Sequence, residues 1–345
     1  MSSITLSNAR ILVTGGSGFI GTNLLELLSA TGATLLNADW NPSLDPGQQV
    51  PWREVDLMDG SGIHAVLQEF QPTHIVHLAA RTDTDEKKDL DAYIQNHEGT
   101  RRLLRAARAC PSLQRIIVTS TQFVCEAGYQ PANDMDFKPF TVYGESKRLT
   151  ELATREASLN CAWTIIRPTT IWGPWSLRYR DVMLKVMRKG LYFHPSGRKV
   201  IRSYGYVGNV CWQIQRMLEA PVELVNGRVF YVGDPPLDLR TWVDAVSMEL
   251  TGRPSRVVPD LLVRTLALGG DALKAVGLPF PITSGRYRSM TQDYITPMDK
   301  TSEALGQAPF DLRSGVREFI RWYREDSLRA RPLAKRIVLI DRSVS

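Results

Sequence analysis

The 345-residue chain is 43% hydrophobic and 23% charged, the composition of an ordinary globular protein with a sizeable core. Its net charge of +6 comes from scattered basic residues without interleaved aromatics, which argues against nucleic acid, and its four cysteines (Cys110, Cys125, Cys161, Cys211) form no CxxC pair, which argues against a zinc site or a disulfide framework. No apolar run approaches spanning length and no leader pattern is legible, so the expectation is a cytoplasmic protein with no membrane partner and no metal.

An apolar run at Ile11-Leu12-Val13 opens the chain as a strand, followed by Thr14-Gly15-Gly16-Ser17-Gly18-Phe19-Ile20-Gly21 and the helical pattern Asn23 to Leu28. Gly15 permits the tight turn, Gly18 lets a pyrophosphate approach the backbone, and Gly21 lets the helix pack closely on the strand. The helix N-terminus then offers N–H groups and a positive dipole end to phosphates, so a dinucleotide is expected. The second strand, Ala33 to Ala38, ends in Asp39, about twenty residues past the glycines, where a carboxylate accepts hydrogen bonds from ribose hydroxyls. No arginine follows (Trp40, Asn41, Pro42), which favours NAD over NADP.

Val55 to Asp59 reads as a strand end and loop, and a helix is predicted over Gly62 to Phe70. His74 to Ala80 is continuously apolar apart from its histidines, as a strand buried on both faces should be. His74 and His77 are three residues apart and so point to opposite faces, poor partners for one metal. A long helix from Ala92 to Ala109, a strand from Arg115 to Ser120, a helix from Tyr143 to Ser158 and a strand from Cys161 to Ile166 complete the series. This alternation predicts an α/β fold, a Rossmann-type doubly wound parallel sheet over residues 1–170. Residues 171–328, where the rhythm breaks, are expected to form a smaller mixed substrate lobe interleaved with it. The tail 329–345, with Ile337 to Ile340 readable as a docked strand, a partner contact or an extension, is assigned no role.

Tyr143 and Lys147 stand at i and i+4, on one face of their predicted helix. A tyrosine is a poor base at neutral pH, but a nearby ammonium and a positive nicotinamide ring favour its phenolate, which can exchange a proton with a substrate hydroxyl. Thr121 lies just past a central strand, at the carboxyl edge where doubly wound sheets bind ligands, and its hydroxyl is placed to hold the reacting oxygen.

On these residues the chain resembles an extended short-chain dehydrogenase/reductase of the NAD-dependent epimerase/dehydratase family. TGGSGFIG at 14–21, Val55-Asp56-Leu57, His77-Leu78-Ala79-Ala80, Asn96 with Gly99-Thr100 and Leu103-Leu104, Thr119-Ser120-Thr121, Arg167-Pro168 with Trp172-Gly173-Pro174, and Arg202 to Val210 resemble its motifs in order. The resemblance implies cofactor contacts from Gly15, Gly18, Phe19, Ile20, Gly21, Asp39, Asp56, Leu57, Leu78, Ala79, Ala80, Asn96, Tyr143, Lys147 and Pro168. It implies substrate contacts from Thr121, Thr170 and Arg202, the last on a diphosphate, and a homodimer formed through the helices near 92–109 and 143–158. Gln122 and Phe123 replace the acid pair of the family's dehydratases, so dehydration and decarboxylation are not expected. The expected reaction is epimerisation of a nucleotide-diphosphate sugar through a transient ketone. The alternatives are a dehydrogenase or ketoreductase of a keto sugar or hydroxysteroid-like alcohol, and a non-catalytic dinucleotide-binding regulator.

Overall fold

The computed structural model describes residues 5–341 except 85, 198, 279 and 281, with 329–341 described by backbone course alone. Seven strands form one parallel sheet: β1 (Arg10–Thr14), β2 (Thr34–Asp39), β3 (Trp52–Glu54), β4 (His74–His77), β5 (Arg115–Thr119), β6 (Ala162–Pro168) and β7 (Arg228–Val232). Their spatial order is β7-β6-β5-β4-β1-β2-β3. The order reverses beside β1, the place where a doubly wound sheet opens a crevice at its carboxyl edge. Parallel register brings Thr14 level with His77, and Thr119 level with Ile166, so the carboxyl ends of four central strands share that edge.

Ile11, Leu12 and Val13 are wholly buried, as are Ile75, Val76, Ile116, Ile117 and Val118, which explains the near-continuous apolar runs of these strands. Helices α1 (Phe19–Ser29), α2 (Gly60–Phe70), α3 (Thr100–Arg108), α4 (Val142–Glu156) and α5 (Val207–Glu219) belong to the same compact unit, which comprises residues up to 171 with 202–236 and 293–309. The seventh strand lies in the stretch whose pattern the sequence does not resolve.

The helix predicted from Ala92 to Ala109 is present as one continuous helical run over 91–108, but its winding is irregular. A 3₁₀ turn at Asp91–Tyr93 and a wide π turn at Gln95–Gly99 precede α3. The cause is Asn96, whose carbonyl accepts the Thr100 hydroxyl (2.6 Å) and the Thr150 hydroxyl of α4 (2.7 Å) instead of serving the helical ladder alone.

The second unit comprises 172–201, 237–292 and 310 onward. Its longer helices are α6 (Leu239–Thr251), α7 (Asp260–Ala275), α8 (Ser284–Thr291) and α9 (Leu312–Asp341). Trp172 packs edge-on against Trp242 of α6 at 5.7 Å and against Phe319 of α9 at 6.0 Å, forming an aromatic core. The backbone over 337–340 is helical, not the strand considered for it.

Candidate active site

The glycine turn is built so that no side chain fits where backbone must pass. Gly15 has φ +72°, and a Cβ there would lie 2.5 Å from the Ala79 nitrogen; at Gly21 it would lie 2.3 Å from the Gly15 oxygen. α1 begins at Gly18 with no side-chain cap and no acidic residue in its first turn, while Phe19 and Ile20 open the helix half-buried. Its first N–H groups are therefore left for an anion, which fits a cofactor pyrophosphate.

Asp39 ends β2, and its carboxylate accepts the Ser17 N–H (3.1 Å) and the Asn41 N–H (3.0 Å). Burial raises its pKa, and these backbone bonds work in the opposite direction. Asp56 is exposed and caps its own loop through the Met58 N–H (2.8 Å), while Leu57 packs beneath Gly99. Leu78, Ala79 and Ala80 follow β4 as half-buried backbone beside Gly15. The Asn96 carboxamide is taken up by both backbone groups of Arg81 (2.7 and 2.9 Å) and by Ser146 (3.0 Å). It thereby ties the loop after β4 to α4.

Thr141 caps α4 by accepting the Gly144 N–H at 2.9 Å, which fixes the first turn that carries Tyr143. A Cβ at Gly144 would sit 2.3 Å from the Phe123 carbonyl oxygen, so only glycine lets the loop after β5 close on the helix. Tyr143 is clamped edge-on by Phe123 at 6.2 Å and tilted against Tyr93 at 6.1 Å, and the Thr121 hydroxyl is near enough to its phenol to lower the phenol's pKa.

Lys147, one turn on, is 1% exposed. Burial pulls its pKa down to about 8 against the pull of Glu151, and no hydrogen bond or ion pair holds its ammonium among the described residues. Such a group fits a bound ribose. Burial pushes the Tyr143 phenol up to about 12, opposed by Thr121, and Lys147 is not among the groups that move it. The protein alone thus does not favour the phenolate as expected, and the positive charge that would do so must arrive with the cofactor.

Thr170 accepts a hydrogen bond from the Gln122 carboxamide at 3.0 Å, while the Gln122 carbonyl oxygen is buried without a partner. Pro168, the last residue of β6, is buried on the same edge. Tyr294, not recognised from the sequence, places its hydroxyl 2.8 Å from the Gln122 backbone oxygen and 2.6 Å from that of Cys125, donating to one at a time. The Arg202 guanidinium lies over the same ring at 5.6 Å. One residue distant in sequence therefore connects the expected phosphate ligand to the Thr121 loop, and no motif spacing could have announced it.

Beneath the site, Arg167 and Glu151 form a buried two-toothed ion pair (2.8 and 2.9 Å), and the same carboxylate accepts the Ser120 hydroxyl at 2.6 Å. Burial works against the Arg167 charge, but Glu151 and Tyr231 outweigh it and raise its pKa.

Residues 11–233 match the model of the NAD dependent epimerase/dehydratase family, and the chain belongs to that family. It is 30% identical over 327 residues to the N-acetyl-alpha-D-glucosaminyl-diphospho-ditrans,octacis-undecaprenol 4-epimerase of Escherichia coli O157:H7, covering 90% of this chain and 93% of the relative. It is 26% identical over 349 residues to a 3 beta-hydroxysteroid dehydrogenase/Delta 5-->4-isomerase of Mycobacterium tuberculosis, covering 93% and 92%. The fold is shared with the UDP-glucuronic acid 4-epimerase of Bacillus cereus, solved with UDP-glucuronic acid and NAD, at a TM-score of 0.70 and 18% identity over 91% of this chain and 99% of that one.

Proposed function

We propose that the protein is an NAD-dependent epimerase of a sugar carried on a diphosphate, with a nucleotide-linked sugar as substrate. The observation that carries this reading is the buried Lys147 ammonium, unpaired among the described residues, one helical turn from the buried Tyr143 phenol that Thr121 acts on, on the sheet edge that also holds the uncapped start of α1. The cofactor, when bound, supplies a hydride acceptor and donor. Thr121 holds the reacting oxygen, Tyr143 takes the hydroxyl proton and returns it, and Lys147 holds the nicotinamide ribose. Arg202, braced on Tyr294, binds the diphosphate through two N–H groups, leaving the sugar loose enough to turn over as its ketone.

The unpartnered Gln122 carbonyl, where dehydratases carry an acid, offers hydrogen-bond acceptance without a proton to give, which favours inversion over loss of water. The reading includes a cytoplasmic homodimer joined through α3 and α4, whose Leu149 and Leu152 are half-exposed. The mycobacterial relative supports a second reading, net oxidation of a hydroxysteroid-like alcohol.

The test is incubation with uridine- and polyprenol-diphosphate-linked N-acetylglucosamine, with product isomers separated by chromatography. Two epimers should equilibrate without net accumulation of reduced cofactor, and Tyr143→Phe should slow this about 10²- to 10⁴-fold. Steady production of reduced cofactor from a hydroxysteroid would install the second reading instead.

A further inference from the structure

Helix α7 of the second unit carries a long apolar face that nothing in the described structure covers. Leu261 is 71% exposed, Leu268 60% and Val276 72%, with Leu262, Leu273 and Leu278 also in solvent. At about 100° per residue, these positions within the helix fall on one arc that also takes in Thr265, Gly269 and Ala272 and contains no charge. Ordinary surfaces expose leucines singly, whereas a contiguous strip marks a docking surface.

The strip faces outward because the helix is fixed in rotation from its other side. Asp260 accepts the Tyr287 hydroxyl of α8 at 2.9 and 3.0 Å, and Asp271 accepts the Ser284 N–H at 3.1 Å. A Cβ on Gly270 would lie 1.8 Å from the Ile282 oxygen, so glycine lets Phe280 and Ile282 press against the face away from the leucines. Val263, Ala267 and Gly270 are the buried positions, and the strip is what remains.

Charge identifies the occupant. Residues 252–292 hold six basic side chains (Arg253, Arg256, Arg264, Lys274, Arg286, Arg288) and two acidic ones, and both acids are the inward-turned Asp260 and Asp271 just described. On the wheel Arg264 borders the strip, whereas Lys274 falls between the buried Val263 and Ala267, away from it. An apolar face bordered by Arg264, in a segment with more basic than acidic side chains, is the pattern of a helix lying in the plane of an anionic lipid surface, its leucines in the acyl boundary and its cation at the headgroups. Pairing two copies through the strip would crowd like charges instead. No helix of the described residues is long and apolar enough to cross a membrane, and this mode of contact needs none.

We propose that the outward face of α7 docks the protein on an anionic lipid bilayer. The test is flotation of the full chain with vesicles of phosphatidylglycerol and phosphatidylcholine, against phosphatidylcholine alone, at low and high salt. The protein should float with the anionic vesicles, less so at high salt. Leu261→Glu combined with Leu268→Glu and Val276→Glu should cut flotation at least tenfold with an unchanged thermal melt, and Arg264→Glu should cut it several-fold. Tyr143→Phe should float like the wild type, which separates this proposal from the epimerase reading. A wild type that never floats, a triple variant that floats equally, or a concentration-dependent dimer lost in the triple variant without flotation would each overturn it.

Discussion

At the carboxyl edge of the sheet polar and charged groups are buried, while on α7 leucines stand in solvent. The two regions depart from the usual distribution in opposite directions. At the sheet edge nearly every buried polar group has a partner that a structural role would demand: Asn96 holds Arg81 and Ser146, and Glu151 holds Arg167 and Ser120. Lys147 stands out there as a charged group without such a partner among the described residues; the Gln122 amide oxygen and the Thr119 and Thr169 hydroxyls, also without one, are neutral. On α7 the two acids are matched, and it is the apolar groups that lack partners. In each place the unmatched group, an ammonium in one and a row of leucines in the other, marks what the folded chain is built to meet.

The most severe way to break the sheet-edge arrangement is Glu151→Gln. Arg167 would then be buried with no countercharge, and Ser120, next to Thr121, would lose the carboxylate it donates to. Removing one partner of a buried pair costs about 3–5 kcal/mol. Denaturant titration should show that loss, whereas Glu145→Gln, which opens the half-exposed pair with Arg148, should stay within about 1 kcal/mol. Equal effects would mean that burial does not distinguish the two pairs.

Much of this edge was legible in the sequence because local constraint wrote it there. The glycines at 15, 18 and 21, Asp39 after an apolar run, and Tyr143 with Lys147 are spacings that backbone geometry dictates, and the strands that carry them are near-continuously apolar. β7, the π turn in the helix before Thr100, and Tyr294 were not legible. Each depends on a partner far along the chain: β6 for the strand, Thr150 for the Asn96 carbonyl, and the 122–125 loop for Tyr294. The strip on α7 was hidden for another reason. Leu261, Leu268 and Val276 at helical spacing read like any core-facing stripe, and only the packing of Gly270 against Ile282 reveals which side is covered.

His77 provides a smaller test through pH. It is buried between the Thr14 hydroxyl (2.6 Å) and the Thr100 hydroxyl (2.8 Å), and burial, then the Lys147 charge, lowers its pKa from 6.5 to about 3. With the folded pKa depressed, the unfolded chain binds the proton first. The stabilisation is therefore complete above 6.5 and is lost as pH falls toward 3. Between pH 6.5 and about 5, above the range of most carboxylates, unfolding free energy should fall with acid more steeply in the wild type than in His77→Gln. Parallel slopes would mean that His77 can take a proton in the folded protein.

The smallest change in stability should come with a large change in binding, at the start of α1. Helices α2, α4, α6 and α8 begin on side-chain acceptors, from Asp59, Thr141, Asp238 and Thr283, while α1 begins on Gly18 with none. Gly18 has φ −78° and ψ −179°, a conformation open to any residue, and a Cβ there would lie 3.3 Å from the Gly15 oxygen, a contact that a small shift relieves. Serine would therefore fit and cap the helix, with a stability change within about 1 kcal/mol. The same side chain would occupy the N–H groups and the space that a pyrophosphate needs, so Gly18→Ser should weaken NADH binding at least about tenfold in a fluorescence titration, roughly 1.4 kcal/mol. If the variant melts like the wild type and still binds NADH as tightly, the uncapped terminus is not the phosphate seat, and the contrast between α1 and the capped helices carries no functional meaning.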